Sequence, residues 1–220
     1  MKTPSMKKYV QTGLLALLCS IGSVSGAWAQ NAATAAAAGQ AAGMSPPAQA
    51  RIAPTVQVSG QTLKLNGKGV RYRAFIKVYE IGLYAAAPVQ SLEQFLATSG
   101  AKRLQLMTLR ELTGDALGVA MVQGMQNNVP ASERLKLLPH MSQLSKVFGE
   151  EPQVATGSVL TIDWVPGRGT VMTLNGVHKG TVVDPLFFSA AARIWLGQKP
   201  VDFTLKDALL GVSVKRPESG

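Results

Sequence analysis

Cysteine, histidine and acidic side chains are scarce in this chain. Of its 220 residues one is Cys, two are His and twelve are Asp or Glu. A single cysteine excludes a disulfide framework and any cysteine-rich zinc module. His140 and His178 lie far apart, in no ligand spacing, so no metal site is expected. There is no Gly-x-Ser-x-Gly, and a serine triad would have to draw on one of those two histidines. His178 sits beside a hairpin turn and is expected to face solvent. Gly67-x-Gly69 is followed by neither a third glycine nor a helix, and no Walker pattern exists, so a nucleotide loop is not expected. Glu150-Glu151 beside Pro152 read as a solvated loop, and Glu111 and Asp115 flank a helix start, where negative charge is favoured anyway. Neither makes an acid/base pair. No cofactor is expected. Charged residues are 15% and hydrophobic ones 46%, which excludes a wholly disordered chain.

What is present is cationic. Twenty-two Lys and Arg give a net charge of +10, which raises a nucleic-acid reading. The N-terminus argues against it. Lys2, Lys7 and Lys8 precede a mostly apolar stretch from Val10 to Val24, and Ala27-Trp28-Ala29 has the small-x-small pattern. This is the form of a secretory signal peptide over 1–29, cleaved after Ala29. The apolar stretch is shorter than the ~18–20 residues a spanning helix needs. Leu18 before Cys19 does not suit lipoprotein processing, so Cys19 is expected to leave with the signal. Removing the three lysines takes the charge from +10 to +7. The expected destination is periplasmic or secreted. Nucleic acid is then not an expected partner. The charge would serve solubility, an anionic envelope surface or capture of an anionic ligand.

Residues 30–54 are Ala, Gly, Gln and Pro with few large apolar side chains, and read as a flexible linker. The folded domain is expected over 55–214, with a tail at 215–220. Short strands are expected at Val56–Val58 and Leu63–Leu65, with Asn66-Gly67 as a turn. Val70–Ala86 is strand-like but too long for one ordinary strand and is expected to bend into two. Leu104–Leu109 is another. Asp115–Asn127 and Ser132–Phe148 carry helical periodicity, the second interrupted by Pro139, where a break or a new helix is expected. Val159–Val165, Thr170–Leu174 and Val177–Val183 form a meander around Pro166–Gly169 and Asn175-Gly176. Asp184-Pro185 opens a helix to Leu196, closed by Gly197. Thr204-x-x-Asp207 resembles a capping box for a last short helix. Hairpins without a βαβ rhythm argue an α+β fold, an antiparallel sheet covered by helices on one face.

The strongest chemical signal is Gly69–Tyr84, GVRYRAFIKVYEIGLY. Read as one extended chain, alternate residues share a face. Arg71, Arg73, Phe75, Lys77 and Tyr79 then fall together, opposite a core face of Val70, Tyr72, Ala74, Ile76 and Val78. The cationic, aromatic face is either a solvated one, its stems covering apolar surface, or the wall of an anion-binding cleft. In the second case an Arg fork matches a carboxylate and a Tyr hydroxyl adds a further hydrogen bond.

At these residues the chain resembles the chalcone isomerase-like family, in its bacterial, exported branch. Three stretches carry the likeness: GKGVRYRAFIKVYEIGLYAAAP (67–88), LTIDWVPGRGTVMTLNGVHKGTV (160–182) and RIWLGQKPVDFTLKDALLG (193–211). The resemblance implies an open-faced β-sandwich, a large antiparallel sheet covered by a layer of helices with a ligand cleft between them. The family includes enzymes that cyclise chalcones and relatives that bind fatty acids without catalysis. The binding relatives hold a carboxylate with an Arg in Gly-x-Arg and the first Tyr of Val-Tyr-x-x-Gly-x-Tyr. These match Arg71 and Tyr79, and Arg73 competes with Arg71. The enzymes have Thr at the position of Tyr79, and a Tyr and an Asn seven residues apart where this chain has Leu117 and Gly124. Asn127 and Asn128 are out of step. The resemblance therefore implies a binding protein for a fatty acid or similar small amphipathic anion rather than a chalcone-cyclising enzyme, and leaves open a Tyr–Arg pair that polarises a different substrate. Arg71 or Arg73 and Tyr79 would hold the head group. Met121 and Met125 would enclose the tail or serve as ordinary core. The alternative is an isomerase or intramolecular lyase acting on a chalcone-like enone. A third reading is an envelope protein that uses its basic surface on anionic lipid.

Overall fold

The chain divides into two units, Met1–Gly43 and Met44–Gly220. The computed structural model describes residues 52–212, all within the second unit. The signal peptide, most of the linker and the C-terminal tail expected from the sequence lie outside the described residues.

Seven strands form one antiparallel sheet in sequential order. They are β1 (Thr55–Val58), β2 (Gln61–Arg73), β3 (Ile76–Ala85), β4 (Lys102–Thr108), β5 (Val159–Val165), β6 (Gly169–Leu174) and β7 (Val177–Val182). Five helices accompany them: α1 (Leu92–Ala97), α2 (Gly114–Asn128), α3 (Ala131–Gly149), α4 (Pro185–Leu196) and α5 (Phe203–Leu210). This is the expected α+β architecture, a large antiparallel sheet under helices. Alternation supplies the core. Ile81 and Leu83, Leu104 and Leu106, Leu160 and Ile162, Met172 and Leu174 turn to one face. There they join Leu117, Met121, Leu137, Leu144, Phe187 and Trp195 from the helices. The other face carries a smaller cluster of Ile52, Val58, Leu63, Tyr84 and Ala101. Ile52 to Pro54, assigned to the linker from sequence, are tied to this sheet. Ile52 is buried, Ala53 accepts from the Tyr84 hydroxyl at 2.9 Å, and Pro54 accepts from the Leu65 amide at 2.9 Å.

Several expectations are corrected. The first hairpin turns at Ser59-Gly60, both with positive φ, and β2 runs straight through Asn66-Gly67. The Asn-Gly pair marks a register shift between Leu65 and Gly67, not a turn. Asn66 is held there by three side-chain bonds, to the Val89 carbonyl and amide and to the Leu209 carbonyl. The bulge reverses the facing of the strand. Leu63 and Leu65 join the smaller cluster, whereas Gly67, Gly69 and Arg71 stand opposite Leu83, Ile81 and Tyr79. Here α5 lies directly on the strand: a Cβ at Gly67 would overlap the Ala208 and Leu209 carbonyls.

α3 is one helix across Pro139, not two. Pro139 is exposed, while Leu137, Met141, Leu144 and Phe148 make the buried stripe. α5 begins two residues earlier than the Thr204 pattern implied. Its N-cap is Asp202, which accepts from the Leu205 amide at 3.1 Å. α4 starts as expected, with Asp184 accepting from the Leu186 amide at 2.9 Å and Pro185 in the first turn. Helix α1, capped by Ser91, was not expected from the sequence.

Candidate functional site

The Gly69–Tyr84 segment bends into two strands, as its length implied, and so does not carry the single cationic face of one extended chain. β2 ends at Arg73, Ala74-Phe75 make a tight turn, and β3 returns from Ile76. A second register shift, between Arg71 and Tyr72, lets Arg71 pair with Tyr79 and Tyr72 with Lys77, leaving Val78 as the extra residue. The hairpin thus brings Arg71 and Tyr79 side by side on neighbouring strands. Arg73, Phe75 and Lys77 are exposed around the turn. Arg73, which competed with Arg71 for the head-group role, stands opposite Ile76 at the outer end of the hairpin.

Each member of the pair is fixed by residues at or just beyond the end of α4. The Tyr79 hydroxyl accepts from Trp195 Nε1 at 2.9 Å. Arg71 Nη1 lies 3.3 Å from Asp202 Oδ2, and the same guanidinium donates to the Tyr72 carbonyl. Asp202 therefore has two tasks, capping α5 with one oxygen and holding Arg71 with the other. Trp195 and Asp202 both fall in the stretch 193–211. Its specificity is visible in the sequence, but their role is not, because only the fold brings them against β2 and β3.

Burial pushes the Tyr79 phenol from its ordinary 10 up to about 12, against the opposing pull of the Trp195 hydrogen bond and the Arg71 charge. The hydroxyl is therefore neutral near pH 7. Having accepted from Trp195, it still has its own hydrogen to donate. It is suited to bind an anionic oxygen and unsuited to act as a general base.

Tyr79 also lines a small apolar cavity. Leu106, Leu112, Leu117, Val154, Leu160 and Leu174 supply most of its wall. Thr108 lines it too, but its hydroxyl is spent on the Ala155 carbonyl at 2.7 Å. The centre of a water molecule has about 10 Å³ in which to move there, room for about one water. Ligand pockets generally span ~300–1,000 Å³, so a lipid tail would enter only if this wall moved. Part of this wall is the crossing from β4 to α2. It holds Leu112, which forms an isolated bridge to Val154, and Leu117 in the first turns of α2.

Other sequence candidates have structural places. Met121 and Met125 are buried in the main core and do not line this cavity. Asn128 bonds the Gly124 carbonyl and both backbone groups of Lys199, tying α2 to the loop after α4. His178 is exposed and bonds Thr181 at 2.9 Å. Among the described residues no group of three His, Cys, Asp or Glu is placed to hold a metal ion.

The fold agrees with the comparisons. A family model described as chalcone isomerase-like matches residues 46–211, and the chain belongs to that family. Among solved structures it is similar to the crystal structure of an Arabidopsis thaliana fatty-acid binding protein. The TM-score is 0.54 and the identity 15%, over 71% of this chain and 95% of the other. No curated protein matches it.

Proposed function

We propose that this protein is an exported, non-catalytic carrier of a fatty acid or similar small amphipathic anion. Arg71 and Tyr79 would bind the head group. The apolar cavity behind Tyr79, widened by movement of the Leu112–Leu117 region, would take the tail. The observation that carries the reading is the pairing of a guanidinium with a neutral phenol that also lines a largely aliphatic cavity. The fatty-acid binding protein of the same fold supports it. The isomerase alternative finds no general base in this phenol, which burial keeps protonated at neutral pH, although the hydroxyl could donate to an enone oxygen. Export rests on the Lys2–Ala29 segment, and a periplasmic site and the bacterial, exported branch belong to the same proposal. N-terminal sequencing of the secreted product should begin at Gln30.

The direct experiment is to purify the protein, extract it and identify bound lipids by mass spectrometry, then titrate a fluorescent fatty acid. Charge-assisted hydrogen bonds are worth roughly 1.5–3 kcal/mol each. The Arg71→Ala/Tyr79→Phe double variant should therefore bind at least tenfold more weakly, and Arg73→Ala should bind nearly normally. Unchanged affinity in the double variant would refute the head-group assignment.

A further inference from the structure

The turn that brings Arg71 and Tyr79 together carries side chains that the fold does not use. Phe75 is 99% exposed, Ile76 52% and Tyr72 42%. Single exposed apolar residues are ordinary, but a contiguous apolar tip is not. The turn is also formed at a local cost, since Ala74 sits at φ 53°, in the left-handed region that disfavours a Cβ. A polar turn such as Asn-Gly would suit both the backbone and the solvent better. The surrounding charge has one sign. From Arg71 to Tyr79 the chain reads RYRAFIKVY, with three cations and no acid. Arg71 is held by Asp202, while Arg73 and Lys77 stand exposed on either side of the apolar pair. The acid next along the strand, Glu80, is engaged by Lys68 at 3.1 Å.

We propose that the β2–β3 tip docks on anionic lipid bilayers, with Phe75 and Ile76 entering the headgroup–acyl boundary and Arg73 and Lys77 lying on the anionic headgroups. Aromatic and aliphatic side chains flanked by Lys or Arg are the chemistry that such an interface selects. An acidic protein partner would match the two cations but would not require a Phe projecting wholly into solvent. The tip's place in the fold gives docking a use. At about 3.4 Å per residue, Arg71 lies roughly 7 Å up the strand from Arg73, where the turn begins, so the head-group pair would stand just above the lipid from which a ligand is drawn. That use rests on the ligand reading above, whereas the docking itself does not.

The test is flotation of the full chain with vesicles of phosphatidylcholine alone and of an equimolar mixture with phosphatidylglycerol. Binding should favour the mixed vesicles and weaken with salt. It should fall tenfold or more in Phe75→Ser/Ile76→Ser, and about fivefold for each of Arg73→Gln and Lys77→Gln. The same flotation is run on chains that begin at Gln30, so that the N-terminal apolar segment cannot mask the contribution of the tip. Phe75→Trp should add an emission component that shifts to the blue on the mixed vesicles and is quenched by brominated acyl chains. The Arg71→Ala/Tyr79→Phe variant should float normally while losing fatty acid, which separates failure of docking from failure of the ligand reading. The proposal is overturned if the tip variants float as well as the parent, or if the added emission of Phe75→Trp neither shifts nor is quenched. It is equally overturned if the Phe75 and Ile76 substitutions abolish a concentration-dependent dimer in place of vesicle binding.

Discussion

At the scale of single residues, the site depends on a competition for Arg71. A guanidinium offers five N–H donors, so Asp202 need not be displaced for a second carboxylate to bind. It does, however, neutralise the charge that would attract one. Both partners are about a quarter exposed, and an ion pair of this kind contributes roughly 0.5–1 kcal/mol. Asp202→Asn separates the two tasks of that residue. Asn caps a helix about as well as Asp, so α5 should keep its N-terminus, while Arg71 loses its counter-charge. The expected result is fatty-acid affinity about two- to fivefold higher with little change in melting temperature, read by fluorescence titration and thermal unfolding. A weaker affinity with α5 intact would mean that Asp202 positions Arg71 for the ligand and does not compete with it. Trp195 has no such ambiguity. Its buried N–H requires an acceptor, and Tyr79 provides it.

At the scale of elements, the strands of the second half and α4 were legible because their signals are local. They are Val-, Ile- and Thr-rich runs that end at Pro166–Gly169 and Asn175-Gly176, and the Asp184-Pro185 start. The errors fall where tertiary contacts overrode local chemistry. Asn66-Gly67 has the composition of a turn, yet its glycine is needed because α5 lies on the strand there, and its asparagine because three backbone groups need a partner. The two register shifts are likewise invisible to a strict period of two. They are why Arg71 meets Tyr79 while Arg73 does not. Arg71 and Tyr79, which the fold sets side by side, could be named together from sequence; Trp195 and Asp202 could not, since they come from a stretch more than a hundred residues away. α3 shows the same override and invites a measurement. A proline within a helix costs up to about 3 kcal/mol. Pro139 is exposed, and the buried stripe around it holds the helix regardless. Pro139→Ala should therefore stabilise the protein by about 2 kcal/mol, raising the melting temperature by roughly 4–8 °C. A loss of stability would show that the other helices pack against a bend at this proline.

At the scale of the molecule, β3 is the strand on which both faces of the sheet depend, and its two tyrosines make that dependence measurable by pH. Tyr79 belongs to the helix-covered face, where its hydroxyl receives Trp195. Tyr84 belongs to the other, where its hydroxyl donates to Ala53 and anchors the entering chain. Burial raises each phenol from 10 to about 12, partly offset for Tyr84 by the Arg103 charge. Between those values the unfolded chain has released protons that the native protein retains. Stability must then fall as pH rises. The contribution is fully present below pH 10 and lost as pH rises through about 12, at no more than about 2–3 kcal/mol for each phenol, Tyr84 being fully buried and Tyr79 partly so. Lys102, whose ammonium burial pushes downward, acts in the opposite sense and softens the slope. Urea midpoints followed from about pH 9 to about pH 12 should therefore decline, with absorbance of the two buried phenolates emerging only near the upper end. Tyr79→Phe should start less stable, because Trp195 loses its acceptor, and should then decline less steeply by about one tyrosine's share. Equal slopes in variant and parent would mean that the Tyr79 hydroxyl already reaches water. A phenol open to water would need no movement of the Leu112–Leu117 wall to meet a ligand.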